Sequence, residues 1–194
     1  MKKNLSLLFC LFLIALVHSQ SHPFNQYEKL ELPLCSGSDD HELRFFKHYS
    51  LCYRESYEQC EWAAYELTKE ELEKKAERTN TFKQDPLIST GSAALEDYRG
   101  SGYDRGHIAP AADFLFDLEA VKDTFYMSNM SPQNPSMNRG IWSRLEAEGR
   151  AWAEKYGKVL IVTGPVLEKD KYPSIGLNKV SVPEFFYKIF LSPL

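Results

Sequence analysis

Val159-Leu160-Ile161-Val162 constrains the fold of this chain more than any other segment, because four apolar residues run without a polar break and stop at Thr163-Gly164-Pro165. Strict alternation would mark a strand wet on one face. An unbroken run with a Gly-Pro exit marks one covered on both. Residues 158–167 are therefore expected to form a central strand, with 185–191 as another strand of the same sheet. Residues 45–53 and 62–67, aromatic-rich and separated by the polar turn 55–58, read as a hairpin.

Between these strands the period changes. Leu118, Val121 and Phe125 lie at helical spacing within 116–126, whereas Pro132 and Pro135 exclude a regular helix over 128–136. Ser136 reads as the N-cap of a helix reaching about residue 156, with Trp142, Leu145, Trp152 and Tyr156 on its buried stripe. Those aromatics read as core and not as a stacking platform. The charged stretch 68–76 reads as a solvated face, 91–102 as a loop, and 21–43 as a loosely held lead-in. Hairpins interleaved with helices make the class α+β, with a mostly antiparallel central sheet and flanking helices. The expected organisation is a leader over 1–19, a lead-in over 20–44 and one domain over 45–194.

Lys2 and Lys3 precede the apolar run 5–17, and Val17-His18-Ser19 offers a small-residue cleavage context. That is the layout of a cleavable secretory signal, so a secreted or periplasmic protein is expected, without stable membrane insertion. The net charge of −4 falls to −6 without those two lysines, which excludes an architectural binder that grips nucleic acid by bulk electrostatics. A hydrolase with a local basic groove remains compatible. Cys35, Cys52 and Cys60 would remain after processing; both Cys35–Cys52 and Cys52–Cys60 pairings stay open, and no Cys-x-x-Cys pair suggests zinc.

Asp104-Arg105-Gly106-His107 carries the chemistry, together with Asn138 and Glu146 on the expected helix. They supply a proton acceptor, a fixed positive charge, an oxygen ligand for a hard metal and a carboxylate to orient water. Phosphodiester hydrolysis needs those parts. On a continuous helix, eight residues from Asn138 to Glu146 mean a rise of about 12 Å and a rotation of about 80°. Joint ligation of one ion is then disfavoured, and a bridge through water is expected.

Further motifs follow in order: Ser128-Asn129-Met130-Ser131-Pro132-Gln133, Asn138-Arg139-Gly140-x-Trp142, Leu145-Glu146 and Thr163-Gly164-Pro165. With Tyr98 to Tyr103 before them, the series over 49–191 resembles the DNA/RNA non-specific endonuclease family of the ββα-metal superfamily. The resemblance implies that fold, and His107 as the general base. It implies Asn138 as the sole protein ligand of a magnesium ion, with manganese an acceptable substitute. It makes Glu146 the carboxylate that holds a water of that ion, and Arg105 a phosphate-positioning arginine. Asn129 becomes an auxiliary asparagine of the site. Arg78, upstream of Phe82-Lys83-Gln84-Asp85-Pro86, becomes a further site arginine. Asp104 is expected to brace the motif. DNA and RNA are the implied substrates, cut to 5′-phosphate ends with little sequence preference, since phosphate and sugar contacts carry little base information. The alternative is a catalytically weak, secreted nucleic-acid-binding protein of the same fold. Family members usually continue beyond the last expected strand, so a shortened C-terminus with an exposed sheet edge is expected.

Overall fold

The computed structural model of the protein describes residues 32–192. In chain order its strands are β1 (His41–Phe45), β2 (Ser50–Arg54), β3 (Gln59–Thr68), β4 (Asp104–His107), β5 (Met130–Gln133), β6 (Lys158–Pro165), β7 (Ser174–Ile175), β8 (Val180–Ser181) and β9 (Phe186–Leu191). The helices are α1 (Leu95–Tyr98), α2 (Leu118–Asp123), α3 (Pro135–Met137) and α4 (Ser143–Tyr156). The main sheet has the order β1-β2-β3-β6-β9, and every neighbouring pair is antiparallel. The class is α+β, as the period changes along the chain require.

The apolar run sits where its composition places it. β6 is hydrogen-bonded to β3 on one side and β9 on the other. Val159 and Ile161 join Leu51, Tyr65 and Leu67 of the sheet and Ile108, Phe114, Val121 and Phe125 of the layer above in one core. Leu160 and Val162, expected to be equally covered, are only half-buried. Among the described residues that second face has no helical layer; Val162, like Leu32, Cys35 and Tyr187, packs instead against the small cluster of Cys52, Trp62 and Ala64.

Gly164 is fixed by crowding. A Cβ there would come within 2.1 Å of the Glu61 carbonyl oxygen and 3.1 Å of the Trp62 Cα, and neither atom can swing aside. Gly164→Ala is expected to lower stability by about 3 kcal/mol or more. A denaturant midpoint indistinguishable from that of the parent would contradict this.

Several expectations need correction. The end of the lead-in belongs to the sheet: β1, from His41, forms its edge, and Cys35 is disulfide-bonded to Cys52 of β2, with Cα atoms 5.6 Å apart. Cys60 is free and buried; it pairs across the ladder with Tyr53 beside an irregularity, and lies in the main core while Cys52 lies in the cluster on the other face. The strand expected over 45–53 is two strands, because Phe46 N–H donates to the Tyr49 carbonyl (2.8 Å) and closes a turn. Within the segment expected to be a loop over 91–102 lies the single turn α1. β4 and β5 pair into a ladder that had not been expected.

The long helix is also different. Asn134, not Ser136, caps it by accepting from Ser136 N–H (2.9 Å), with Pro135 following. It is interrupted at the wide turn Asn138–Trp142, where Gly140 leaves helical geometry (φ −104°, ψ −106°). Trp142, which ends that turn, is buried; on α4 Trp152 is half-buried, while Tyr156, expected on the stripe, is 53% exposed. The wide turn and α4 both pack on β9: Trp142 of the turn meets Phe186 at 5.7 Å, and Trp152 of α4 meets Phe190 at 4.9 Å.

Candidate active site

His107 closes β4 opposite Met130 of β5. The ladder is tight: a Cβ on Gly106 would lie 2.2 Å from the Gln133 side chain that crosses it. Beyond the ladder, Asn129 locks the exit. Its Oδ1 accepts from Ala109 N–H, and its Nδ2 donates to the carbonyls of Ala109 and Thr124, all at 2.9 Å. Asn129 has no exposed surface. It therefore holds the backbone that carries His107, from beside the cleft and not from its wall.

The imidazole lies between two phenyl rings, 5.7 Å from Phe82 and 4.9 Å edge-on from Phe125. Phe82 is carried there by the Lys83–Tyr126 bridge. His107 is 8% exposed, and its Nε2 is buried without a hydrogen-bond partner among the described residues. An orphaned buried nitrogen is unusual in a structural histidine. Burial first, then the charges of Arg78 and Arg105, push its pKa down from 6.5 to about 3. The ring is thus a neutral base throughout the physiological range.

A cleft of about 330 Å³ opens on this ring, walled by Arg78, Arg105, His107, Asn138, Arg139, Ser143 and Glu146, with the small residues 110–112 as floor. The break at Gly140 matters here. It takes Asn138 off the line of α4, so the rotation of a straight helix no longer applies, and Asn138 and Glu146 wall the same cleft. Asp104 fixes the Asn138 end. It accepts from Asn138 Nδ2 (2.9 Å) and, bidentately, from Arg139 Nε (2.8 Å) and Nη2 (2.6 Å). The Arg139 hydrogen bond in particular holds the Asp104 carboxyl below its ordinary pKa. With its nitrogen committed to Asp104, the Asn138 amide keeps its oxygen for another partner.

That donor chemistry fits a hard dication. One amide oxygen and one nearby carboxylate suit an ion that retains most of its water, as magnesium does. Among the described residues, no group of three His, Cys, Asp or Glu could hold an ion by itself. Glu146 is half-buried, and burial raises its pKa from 4.5 to about 7 against the pull of Lys188, Arg150 and Arg78. Arg105 and Arg78 lie over the Phe82 and Phe125 rings at 4.1 and 5.4 Å. Both guanidinium groups therefore flank the imidazole and make the cleft basic in a chain of net charge −4. Local charge, not bulk charge, would receive a phosphate.

The profile of the DNA/RNA non-specific endonuclease family matches residues 28–194. The chain belongs to this family. Human mitochondrial endonuclease G is 36% identical over 161 residues, covering 77% of this chain and 54% of that protein. The mitochondrial nuclease of Saccharomyces cerevisiae is 37% identical over 188 residues, covering 89% of this chain and 57% of its own. A solved structure, the crystal structure of the EndoG/EndoGI complex, matches with TM-score 0.71 and 36% identity over 77% of this chain and 67% of that one. The chain spans about half the length of these curated relatives.

These relatives correct the expectation of a secreted or periplasmic protein. Human endonuclease G and the yeast enzyme are mitochondrial nucleases, not secreted ones. Secretory and organellar leaders both tend to be cationic and poor in acids, so composition alone separates them poorly. The leader expected over 1–19 lies outside the described residues. No helix among the described residues is long and apolar enough to cross a membrane.

Of the residues that the sequence singles out, His107, Asn138, Glu146, Arg105 and Arg78 meet at one cleft, and Asn129 does not. The sequence reading passed over Arg139 and Ser143, which wall it, and Asp113, Arg150 and Lys188, whose charges act on Glu146. Arg139 sits inside a motif already noticed, so its position was a usable signal. Asp113 and Lys188 had none, since each lies alone in its segment.

Proposed function

We propose that this nuclease-family chain is a magnesium-dependent endonuclease that hydrolyses phosphodiester bonds of DNA and RNA without strong sequence preference. The observation that supports it best is one cleft holding a neutral buried imidazole, a free amide oxygen, a carboxylate and basic side chains. Asn138 and Glu146 are the residues that would hold the ion, directly and through its water. A magnesium ion there would stabilise negative charge developing on the phosphate oxygens and the leaving group.

His107 takes the proton of the attacking water, having no proton of its own to lose near neutral pH. Arg105 and Arg78 receive the phosphate charge beside it. Glu146 orients water on the far wall. Asp104 keeps the Asn138 oxygen and the Arg139 guanidinium in register. In-line attack opposite the 3′ oxygen leaves a 5′-phosphate, and reliance on phosphate contacts admits both polymers.

Plasmid DNA and ribosomal RNA incubated with the protein should both be degraded with magnesium and spared with chelator. Binding without cleavage would reject this reading in favour of a catalytically weak binder. Asn138→Ala should raise the magnesium concentration giving half-maximal cleavage by about tenfold or more, because it removes the one direct protein oxygen. An unchanged magnesium requirement would remove Asn138 from the ion.

A further inference from the structure

The run Tyr98-Arg99-Gly100-Ser101-Gly102-Tyr103 links α1 to β4, and the chemistry above leaves it without a part. Its shape is held locally. Gly100 and Gly102 take positive φ (69° and 83°), which residues with a Cβ rarely adopt. Between them Ser101 ties the turn: its N–H and its Oγ donate to the Tyr98 carbonyl (3.2 and 2.9 Å), and Tyr103 N–H donates to Ser101 Oγ (3.1 Å). Beside this turn lies a cavity of about 280 Å³, walled by Leu95, Tyr98, Arg99, Tyr103, Asp104 and Arg105.

Two of these side chains are shared walls. Arg105 also lines the active cleft, and Tyr103 also lines a larger cavity of about 510 Å³ that includes Ile141 and Phe185. The three spaces follow one another, with a guanidinium at the first junction and a phenol ring at the second. The middle one is cationic. Asp104 has both oxygens engaged by Asn138 and Arg139. Arg105 is exposed and rests on the Phe82 ring. Arg99 meets Glu96 only at 3.5 Å, with side chains 79% and 67% exposed, so water screens that pair and leaves the guanidinium available. Guanidinium groups suit phosphate, and an aromatic ring suits the face of any base. A strand whose scissile phosphate lies by His107 and Arg105 continues on both sides, and the Arg105 wall opens one of those ways onward.

We infer that this middle cavity is a subsite for the nucleotide next to the scissile phosphate, its phosphate received by Arg99 and Arg105 and its base stacked on Tyr103. The inference deepens the function proposed above and rests on its nucleic-acid substrate. In a chain of net charge −4, cations placed along the path of the strand supply the attraction that bulk charge does not. Tyr103 stands where the cavity widens, which gives a base the room that 280 Å³ alone would not.

The test is equilibrium binding of a single-stranded deoxyoligonucleotide, whose bases are free to stack, followed by fluorescence anisotropy over a salt series with chelator present. In Arg99→Ala the slope of log affinity against log salt should shrink by about 0.7, the share of one phosphate contact. Arg99→Lys should keep the parental slope. Lys155→Ala removes an exposed cation in the last turn of α4, away from these cavities, and should also keep it. Tyr103→Leu retains apolar bulk for packing and should weaken binding about fivefold or more. A parental slope in Arg99→Ala, an equal fall in Lys155→Ala, or parental affinity in Tyr103→Leu would overturn the inference. Because Arg99 is exposed, its variants should fold. A protein that binds in this way but cuts nothing with magnesium refutes the proposed function and leaves the subsite standing. Cleavage of both polymers with an unmoved Arg99→Ala slope does the reverse.

Discussion

His107→Ala is expected to lower the cleavage rate by about 10²–10⁴-fold or more while leaving nucleic-acid affinity largely intact. The imidazole is the neutral base at the cleft, and no other side chain there can replace it: Glu146 faces the opposite need, and arginines accept no proton. The binding charges, Arg78, Arg105 and Arg139, are untouched. Truncating a ring packed between Phe82 and Phe125 should cost about 1–3 kcal/mol, against a total stability of about 5–15 kcal/mol for a domain, so the fold should survive. Single-turnover cleavage and equilibrium DNA binding on the same preparation separate these effects. Nearly normal turnover would remove His107 from the mechanism.

The same variant has a pH signature. Folding lowers the His107 pKa from 6.5 to about 3. Between those values the unfolded chain holds a proton that the folded chain lacks, so stability is present above 6.5 and is lost as pH falls toward 3. The slope is at most about 1.4 kcal/mol per pH unit. His107→Ala should flatten that acid loss. Glu146 has the opposite sign: its raised pKa means that folding is weakened as pH rises from 4.5 to about 7, because a carboxylate must ionise inside the protein.

Asn129→Ala should be the most damaging substitution for stability near the site. It strips partners from three buried backbone groups, the N–H and carbonyl of Ala109 and the carbonyl of Thr124. At about 1–3 kcal/mol for each group left unsatisfied, the loss approaches the whole stability of a domain. Soluble yield and the thermal melt would register it. A residue acting only on substrate would instead leave the melt unchanged and lower turnover, so a parental melt with lost activity would reject this bracing role for Asn129.

Asn129 and Asn138 show how one residue type comes to different places in the fold. Both lie in polar motifs, and sequence gives each the same hydrogen-bonding groups. Only the fold shows that Asn129 is closed off by Ala109 and Thr124 while Asn138 ties its nitrogen to Asp104. The long helix failed for a related reason: Gly140 is tolerated inside a helical pattern, and nothing local says that the chain will use it as a break.

Periodicity and turn chemistry by themselves determined the α+β class and the interior place of β6, while the ordered motifs around His107 named the candidate set through their family resemblance. Such signals are local, set by side-chain volume, β-branching and proline geometry within a few residues. Tertiary structure alone decided that Cys35 bonds Cys52, that Asp104 grips Asn138 across 34 positions, and that Phe190 of β9 meets Trp152 of α4. Those pairings depend on strand register and on how α4 seats against β9, which the chain acquires only when distant segments pack.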